Sequence, residues 1–369
     1  MRRIQPYIHH LPDWPHFTWQ PATLQTLLGA VRHQQGRLLG RLEGLGLDLR
    51  TEATLQTLTL DVLKSSEIEG EMLPPASVRS SLAHRLGLEQ GGLLPTDRRV
   101  EGVVAMMLDA TQHATQPLTA ERLFGWHHAL FPTGHTGPYP LQVGAWRTGP
   151  MQVVSGPLGR ERIHYEAPAA AALPEQMQQF LDWFNTPQEL DPVLKAGIAH
   201  FWFVTIHPFD DGNGRIARAI ADLQLARADG TDQRGYSMSA QIQAERHLYY
   251  TSLETSQRGT LDLTDWLTWF LSCLGRALTR AEQTLAQVLG KARFWERHYP
   301  TPLSDRQRHL VTRLLDGFEG KLTTSKWARI AKCSQDTAGR DIADLIGKGI
   351  LLKESAGGRS TSYRLAPEA

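Results

Sequence analysis

The sequence HPFDDGNGRIAR occupies residues 207–218, and this run decides how the rest of the chain is interpreted. An apolar segment, 201–206, precedes it, and the helical spacing of apolar residues resumes at Arg215. The run is therefore predicted to be a loop between two helices. Gly212 and Gly214 remove side chains where a backbone must turn tightly or approach a ligand. Because loop amides at the start of a helix attract anions, the loop predicts a phosphate-binding site.

Four further side chains of this run suit transfer from a nucleoside triphosphate. Arg215 and Arg218 are planar cations that match phosphate oxygens. Asp211 supplies a carboxylate oxygen of the kind that magnesium takes alongside phosphates. His207 titrates near neutral pH and so suits a general base. Each residue alone is more often structural, but together they match the parts that phosphoryl transfer requires.

The glycines also allow two other interpretations. Residues 212–217 fit the dinucleotide-binding pattern G-x-G-x-x-A, which requires a βαβ unit and a parallel sheet around it. The surrounding sequence is helical, which argues against that fold. A Walker A loop requires Lys and then Ser or Thr after the last glycine, whereas Arg215 and Ile216 stand there.

The composition is that of an ordinary folded protein. The chain has 369 residues, a formal net charge of +1 and 41% hydrophobic residues. Two or three domains are therefore expected, and no global charge points to nucleic acid or membrane. Cys273 and Cys333 lack the spacing of a metal site or a disulfide framework, which fits a reducing compartment. Because a secretory signal and an apolar stretch of about 18 residues are both missing, a cytoplasmic protein without a membrane-spanning helix is expected.

Helical spacing recurs along most of the chain before residue 298, so a mostly α fold is predicted. Gly70 marks the end of one helix in the N-terminal part. The β-prone runs 152–154 and 162–165, around a Gly/Pro turn, predict a β-hairpin. Helices are expected at 23–45, 51–69, 78–86, 98–112, 119–131, 173–185, 193–206, 215–229, 241–256 and 263–298, the last as one helix or two.

Residues 303–369 have a separate pattern, which follows a linker that contains Pro300 and Pro302. Three helices are predicted there, at 305–316, 323–332 and 335–347. Ser334 is placed to cap the last of them. Two β-prone runs around Gly357-Gly358 then predict a hairpin, with strands at 350–354 and 362–365. A helix-turn-helix followed by a β-hairpin is the pattern of a winged helix.

The run at 207–218 resembles the signature of Fic proteins, H-P-F-x-[DE]-G-N-G-R-x-x-R, at every defined position. This resemblance implies a helical core over about residues 96–298, with a β-hairpin flap at 151–166 that positions a target peptide. Residues 1–95 resemble a helical module found ahead of some Fic cores. The tail, 303–369, resembles the winged-helix domain sometimes attached behind them. The resemblance thus implies a mostly α protein of three parts.

The family also implies a reaction and roles for individual residues. His207 would deprotonate a Ser, Thr or Tyr hydroxyl of a target protein, and AMP would pass from ATP to that hydroxyl with release of pyrophosphate. Asp211 would hold Mg²⁺ between the α- and β-phosphates. Gly212, Asn213 and Gly214 would line the anion hole, with Asn213 touching the α-phosphate. Arg215 would bind the β-phosphate and Arg218 the γ-phosphate. Tyr249 or Tyr250 is a candidate to stack near adenine, and the alternative for both is packing between helices.

A second motif, residues 65–70 (SSEIEG), fits the family's inhibitory pattern [ST]-x-x-x-E-[GN], which ends here on Gly70. Ser65 and Glu69 are four residues apart and so share one helix face. The carboxylate of Glu69 is expected to pair bidentately with Arg218, which would repel the γ-phosphate and keep the site inactive. In some relatives the same glutamate supports removal of AMP, so both directions of the reaction stay open. The alternative is a solvated acidic helix end made of Glu67, Glu69 and Glu71.

The expected partners are a target protein with a free hydroxyl, the chain itself through self-modification, and a second copy of the chain. DNA is a further candidate, because residues 303–369 carry twelve Lys or Arg against eight Asp or Glu. The side chains placed to contact it are Gln335, Asp336, Thr337, Arg340 and Arg359. Acidic residues on the same helix weaken this case, since phosphates repel Asp336, Asp341 and Asp344. Winged helices also dock proteins.

Two alternative functions therefore stand beside AMP transfer. One is a DNA-binding regulator whose Fic core senses a nucleotide, although a pure sensor has no need of a base such as His207. The other is a Fic enzyme that transfers a different phosphate-linked group, such as UMP or phosphocholine, which the motif does not distinguish.

Overall fold

The computed structural model describes residues 6–88, 97–156, 160, 162–231, 234–315, 318, 320–354 and 361–367. The chain divides into two compact units, Met1–Gln283 and Thr284–Ala369. Helices dominate both units, and the strands form short antiparallel pairs, which confirms the predicted mostly α fold. No helix within these ranges is both long and apolar enough to cross a membrane.

The helices before residue 298 lie close to their predicted positions. The segment 263–298, for which the sequence allows one helix or two, forms a single helix. In chain order the helices are α1 (Pro21–Glu43), α2 (Leu47–Ile68), α3 (Pro75–Arg85), α4 (Arg98–Gln112), α5 (Ala120–Leu130), α6 (Leu173–Asn185), α7 (Pro192–Ile206), α8 (Asn213–Asp229), α9 (Met238–Ala244), α10 (Arg246–Ser256) and α11 (Thr264–Arg297).

Helix α7 is the centre of the first unit's core. Every residue from Val193 to Ile206 is buried, as expected of a helix that is apolar on all sides. Asp191 caps the helix by accepting a hydrogen bond from the amide of Val193 at 2.8 Å. Pro192 takes the first-turn position that proline favours. Because α8 packs along α7, the loop that joins them is anchored in the core at both ends.

The prediction of one helix over 241–256 is wrong. Two helices, α9 and α10, lie there, and Glu245 separates them at φ −122° and ψ 34°. Ser237 sets the start of α9, because its hydroxyl accepts a hydrogen bond from the amide of Ala240 at 3.0 Å. The break leaves the Glu245 carboxylate bound to Arg276 at 2.6 Å. Periodicity did not reveal it because neither Gly nor Pro marks the position.

The first unit also contains two antiparallel strand pairs. Their strands are β1 (His135–Thr136), β2 (Tyr139–Pro140), β3 (Gln152–Ser155) and β4 (Arg162–Glu166). The pair β3–β4 lies where the hairpin is predicted, and it sets Gln152 opposite Glu166 and Ser155 opposite Arg162. Its register shifts after Val153, which is a β-bulge. The pair β1–β2 was not predicted.

The second unit has a core of its own. Its elements are α12 (Asp305–Leu315), α13 (Thr324–Ile330), α14 (Gln335–Gly347), β5 (Leu351–Lys353) and β6 (Tyr363–Leu365). Thr323 and Ser334 cap α13 and α14 by accepting hydrogen bonds from the amides of Lys326 and Thr337, at 3.2 and 3.1 Å. The core side chains include Leu310, Trp327, Ile342, Leu345 and Leu351.

Three helices followed by an antiparallel strand pair is the element order of a winged helix. The assignment of this unit as a winged-helix domain remains a prediction, as do the limits 1–95, 96–298 and 303–369. The predicted turn at Gly357-Gly358 and the DNA contact of Arg359 lie outside the described residues.

Two glycines of the core helices should respond to alanine in opposite ways. A Cβ at Gly102 in α4 would lie 1.7 Å from the carbonyl oxygen of Ala129 in α5, so the two helices would have to separate. We expect Gly102→Ala to lower the free energy of unfolding by about 1–3 kcal/mol. The control is Gly125→Ala, which adds a methyl group into open space on a helix and should raise stability by roughly 0.5–1 kcal/mol. Chemical denaturation measures both, and equal effects would contradict the close approach.

Candidate active site

The loop between α7 and α8 is built from backbone geometry that few residues adopt. His207 ends α7 in the left-handed region at φ 51° and ψ 60°. Gly212 precedes α8 at φ 80°, where a Cβ would also lie 2.9 Å from the ring of Phe131. The carboxamide of Asn213 closes the loop, since it accepts from the amide of Phe209 at 3.0 Å and donates to its carbonyl at 2.8 Å. The contact of Asn213 with an α-phosphate stays a prediction.

Arg147 attaches this loop to the segment that precedes the β3–β4 hairpin. Its buried guanidinium donates to the carbonyls of His207, Gly149 and Pro168 at 2.8, 2.8 and 2.6 Å. Its own amide donates to the carbonyl of Pro208 at 2.9 Å. Sequence reasoning did not assign this role, although the resemblance to Fic proteins extends to residues 144–147. The arginine thus holds the position of the histidine that ends α7.

The imidazole of His207 is arranged to accept a proton on one nitrogen. Its Nδ1 lies 3.2 Å from the carbonyl oxygen of Val204, which requires a proton on Nδ1 and leaves the lone pair on Nε2. Burial lowers the pKa of His207 to about 4, so the ring is neutral at pH 7. A neutral, oriented imidazole of this kind can act as a general base.

Arg218 is buried in α8 and takes its partners from α2. Its side chain is only 2% exposed. Nη2 donates to Oε1 of Glu69 at 2.8 Å and to the Ser65 carbonyl at 2.9 Å, and Nε donates to the Ser65 hydroxyl at 3.0 Å. The predicted pairing of Arg218 with Glu69 is therefore present, but the expected bidentate geometry is wrong. One carboxylate oxygen and two serine oxygens share the guanidinium, because Ser65 lies one helical turn before Glu69.

Arg215 has a separate carboxylate partner, Glu71. The sequence analysis considered Glu71 only in its alternative interpretation, as part of a solvated acidic helix end. Its Nη1 donates to Oε2 of Glu71 at 2.8 Å. The guanidinium also lies over the ring of Phe131, 5.0 Å from the centroid. The acidic character of the α2 end was visible in the sequence, but nothing in the spacing of Glu71 indicated this contact.

Two buried donors of these arginines have no hydrogen-bond acceptor among the described residues. They are Nε of Arg215 and Nη1 of Arg218. Buried polar groups are normally paired, so two unpaired cationic donors on one helix turn point to a missing anion. Gly214 directly precedes Arg215, and a Cβ there would come 2.2 Å from Oε1 of Glu69 and 3.2 Å from Nη1 of Arg218. The site thus suits phosphate groups, with Glu69 lying over the helix start.

Asp211 faces the cavity next to these arginines. Its Oδ2 accepts from the hydroxyl of Thr136 at 2.7 Å, and its Oδ1 accepts from the amide of Gly212 at 2.5 Å. Within the described part of the chain, no group of three His, Cys, Asp or Glu side chains is arranged to hold a metal ion. A carboxylate such as that of Asp211 is the type of ligand that magnesium takes together with substrate phosphates. Asp211 as a magnesium ligand remains a prediction.

The cavity has a volume of about 310 Å³ and is lined mainly by polar groups. It brings the α2 end, the β1–β2 turn and the start of α8 to one place. Its charged and polar lining includes Glu69, Glu71, Arg99, His135, Thr136, Asp211 and Arg215.

The two tyrosines proposed near adenine lie on α10 in different environments. Tyr249 is buried, and its hydroxyl lies 2.9 Å from Nε2 of His200. Tyr250 is 38% exposed and its hydroxyl lies 3.5 Å from the carbonyl of Ile68, the last residue of α2. The guanidinium of Arg246 lies over the Tyr250 ring, 5.4 Å from its centroid. The adenine contact of either ring stays a prediction.

Comparison with known proteins gives two family models. One is described as a domain of unknown function, DUF4172, and matches residues 7–88. The other is described as the Fic/DOC family and matches residues 117–225, which contain the whole 207–218 motif.

Curated relatives carry the name protein adenylyltransferase Fic. Those of Nematostella vectensis and Aedes aegypti are 25% and 28% identical over 225 and 222 residues, which is 59% of this chain and 47% and 40% of theirs. Protein adenylyltransferase fic-1 of Caenorhabditis elegans is 37% identical over 89 residues, 24% of this chain and 16% of its own. The matches thus span less than half the length of each relative.

Solved structures confirm the fold. A Fic family protein from Desulfovibrio desulfuricans G20 aligns with a TM-score of 0.54 and 21% identity, over 96% of this chain and 99% of that one. Fic-1 from C. elegans aligns with a TM-score of 0.50 and 22% identity, over 72% and 74% of the two chains.

The protonation of His207 provides a test of the site geometry. We expect the ring to stay neutral, with its proton on Nδ1, when the pH falls from 7 to about 5, because burial lowers the pKa to about 4. Nitrogen-15 NMR of the imidazoles measures this, and His207→Asn assigns the signal. The unfolded chain gains this proton near pH 6.5 and the folded chain only near pH 4, so His207 lowers stability as the pH falls through that window. A midpoint near 6.5 or a proton on Nε2 would contradict the geometry.

Proposed function

We propose that this chain, which contains a Fic domain over residues 117–225, is a protein adenylyltransferase that is autoinhibited by its own N-terminal region. It transfers AMP from ATP to a Ser, Thr or Tyr hydroxyl of a target protein. The observation that carries the proposal is the pair of unpaired buried donors on Arg215 and Arg218, on the helix that directly follows a neutral histidine. The names of the curated relatives support the same reaction.

The reaction follows from the positions of these groups. Nε2 of His207 takes the proton of the target hydroxyl, and the oxygen attacks the α-phosphorus of ATP. The bond from that phosphorus to the bridging oxygen breaks, and pyrophosphate leaves with the electron pair. Arg215 and Arg218 hold the β- and γ-phosphates and stabilise the charge that develops on them. Asp211 would hold Mg²⁺ together with the phosphates, and the ion would supply further charge neutralisation.

Inhibition follows from the contact between Glu69 and Arg218. The carboxylate occupies the guanidinium that the γ-phosphate needs, and its negative charge repels that phosphate at short range. Glu69 also lies above Gly214, at the place where the anion would approach the helix start. A bound nucleotide must therefore displace Glu69 or adopt a different pose. In some relatives this glutamate supports the reverse reaction, removal of AMP, so both directions stay open for this chain.

Replacement of Glu69 should activate the enzyme. We expect Glu69→Gly to raise incorporation of AMP from labelled ATP, into the chain itself or into lysate proteins, by roughly tenfold or more, since a charged hydrogen bond of about 1.5–3 kcal/mol is lost. His207→Ala in the same background should abolish it. Glu67→Ala is the control, because Glu67 binds Lys64 and Gln243 instead of the motif. An unchanged rate in Glu69→Gly would rule out the inhibitory role.

The nature of the transferred group is decided by the same assay with other donors. Labelled UTP and CDP-choline replace ATP, with the Glu69→Gly variant as enzyme. Transfer from ATP alone supports adenylylation. A higher rate of transfer from UTP or CDP-choline would contradict adenylylation and support transfer of UMP or phosphocholine. Transfer from none of the three donors would favour a nucleotide sensor.

The second unit supports a second candidate function, DNA binding. Two of the acids that count against it are bound within the unit: Asp341 pairs with Arg306 and accepts from Trp327, and Asp344 accepts from Gln307 at 2.7 Å. The cations Arg306, beside Asp341, and Lys348, beside Asp344, offset these negative charges and so reduce their repulsion of phosphates. Arg340 stays exposed on α14, the helix that would enter the major groove.

Reversal of one charge on α14 tests this function. Arg340→Glu in the full chain should weaken binding to short duplex DNA roughly tenfold in a gel-shift titration at low salt, because an attractive contact becomes repulsive. The control is Arg41→Glu, an equal charge change at an exposed position of α1. If both variants bind as the unmodified chain does, or the unmodified chain does not bind, α14 is not a DNA-reading helix.

A further inference from the structure

Glu71 takes no part in the function proposed above, yet it contacts the active-site motif directly. Its Oε2 lies 2.8 Å from Nη1 of Arg215. The side chain of Arg215 is 7% exposed and that of Glu71 is 26% exposed. The ion pair is therefore largely sheltered from water, where charges attract each other more strongly than at a surface.

The backbone at the end of α2 fixes the position of Glu71 relative to Glu69. Gly70 has φ 85°, in the left-handed region that glycine adopts without strain. Its amide donates to the carbonyl of Glu67 at 3.0 Å, and the amide of Glu71 donates to the carbonyl of Ser66 at 3.0 Å. These are the two hydrogen bonds of a Schellman C-cap. Both carboxylates therefore leave one well-defined turn, on either side of its glycine.

The two carboxylates and the motif share one cavity. Glu69, Glu71, Asp211 and Arg215 all line it. Glu69 binds Arg218 and Glu71 binds Arg215, so each motif arginine already has one carboxylate partner. A polyphosphate that enters the cavity must displace both carboxylates from the arginines, or bind in spite of their electrostatic repulsion.

We infer that Glu71 is a second inhibitory residue, which occupies Arg215 as Glu69 occupies Arg218. The inference rests on the proposed binding of ATP phosphates at these arginines. One helix end thus withholds two phosphate-binding side chains at the same time. It follows that removal of Glu69 alone frees only Arg218, and that the resulting variant still binds ATP against the charge of Glu71.

Binding of ATP to the full chain tests this inference without turnover. All variants carry His207→Ala, and Kd is measured by isothermal titration calorimetry with magnesium and ATP. We compare Glu69→Gly alone with Glu69→Gly/Glu71→Gln and with Glu69→Gly/Glu67→Gln. The last is a matched control, since it removes an equal charge from the same helix end at a residue that binds Lys64 and Gln243. Glutamine keeps the size of each side chain, and thermal melting confirms that all variants fold.

The expected result is that Glu71→Gln tightens ATP binding roughly tenfold over Glu69→Gly alone, equivalent to about 1.4 kcal/mol, while Glu67→Gln leaves it unchanged. Equal affinity with and without Glu71→Gln overturns the inference. An equal gain from Glu67→Gln also overturns it, because the effect is then one of general charge. If the Glu69→Gly variant with an intact His207 transfers AMP, these two outcomes contradict the inference about Glu71 and leave the proposed function intact. Absence of ATP binding in every variant overturns both.

Discussion

The guanidinium of Arg218 is a positive charge with only 2% of its side chain exposed, and such a charge is tolerated inside a protein only when it is paired. Here α2 supplies the partners, through both oxygens of Ser65 and one of Glu69. The N-terminal region is thereby fixed on the core by the residue that the family resemblance assigns to the γ-phosphate. The proposed inhibited state and the proposed ATP complex meet the same requirement, since each places an anion beside this buried charge.

The charged side chains around Arg218 are positioned by backbone conformations that few residues adopt. His207 and Gly212 are left-handed residues at the end of α7 and the start of α8, and Asn213 closes the loop between them. Gly70 has the same conformation at the end of α2. The last position of the inhibitory pattern admits Gly or Asn, the two residues that adopt this conformation most readily. The pattern is thus explained as a helix C-cap that presents a carboxylate.

Much of this could be predicted because the signals are local. Apolar spacing, caps and glycines placed most helices within a few residues, and the motif at 207–218 located the loop between α7 and α8. Prediction failed where the deciding contact is distant in sequence. No local signal separates α9 from α10, because neither Gly nor Pro marks the break at Glu245, whose carboxylate binds Arg276, 31 residues away. The role of Arg147, which reaches carbonyls 2 to 60 residues away, was missed for the same reason.

Local spacing was therefore enough to place a histidine, a glycine-containing loop and two arginines together, because these groups are neighbours in the chain. The chain alone also placed Ser65 and Glu69 on one helix face. Only the packing of α2 against the core decided that a single carboxylate oxygen of Glu69 reaches Arg218, 149 residues away. The same packing decided that Ser65 also accepts from Arg218 and that Glu71 reaches Arg215. The physical reason is that side-chain type and spacing determine which groups can interact, whereas the distance between two helices determines which of them do.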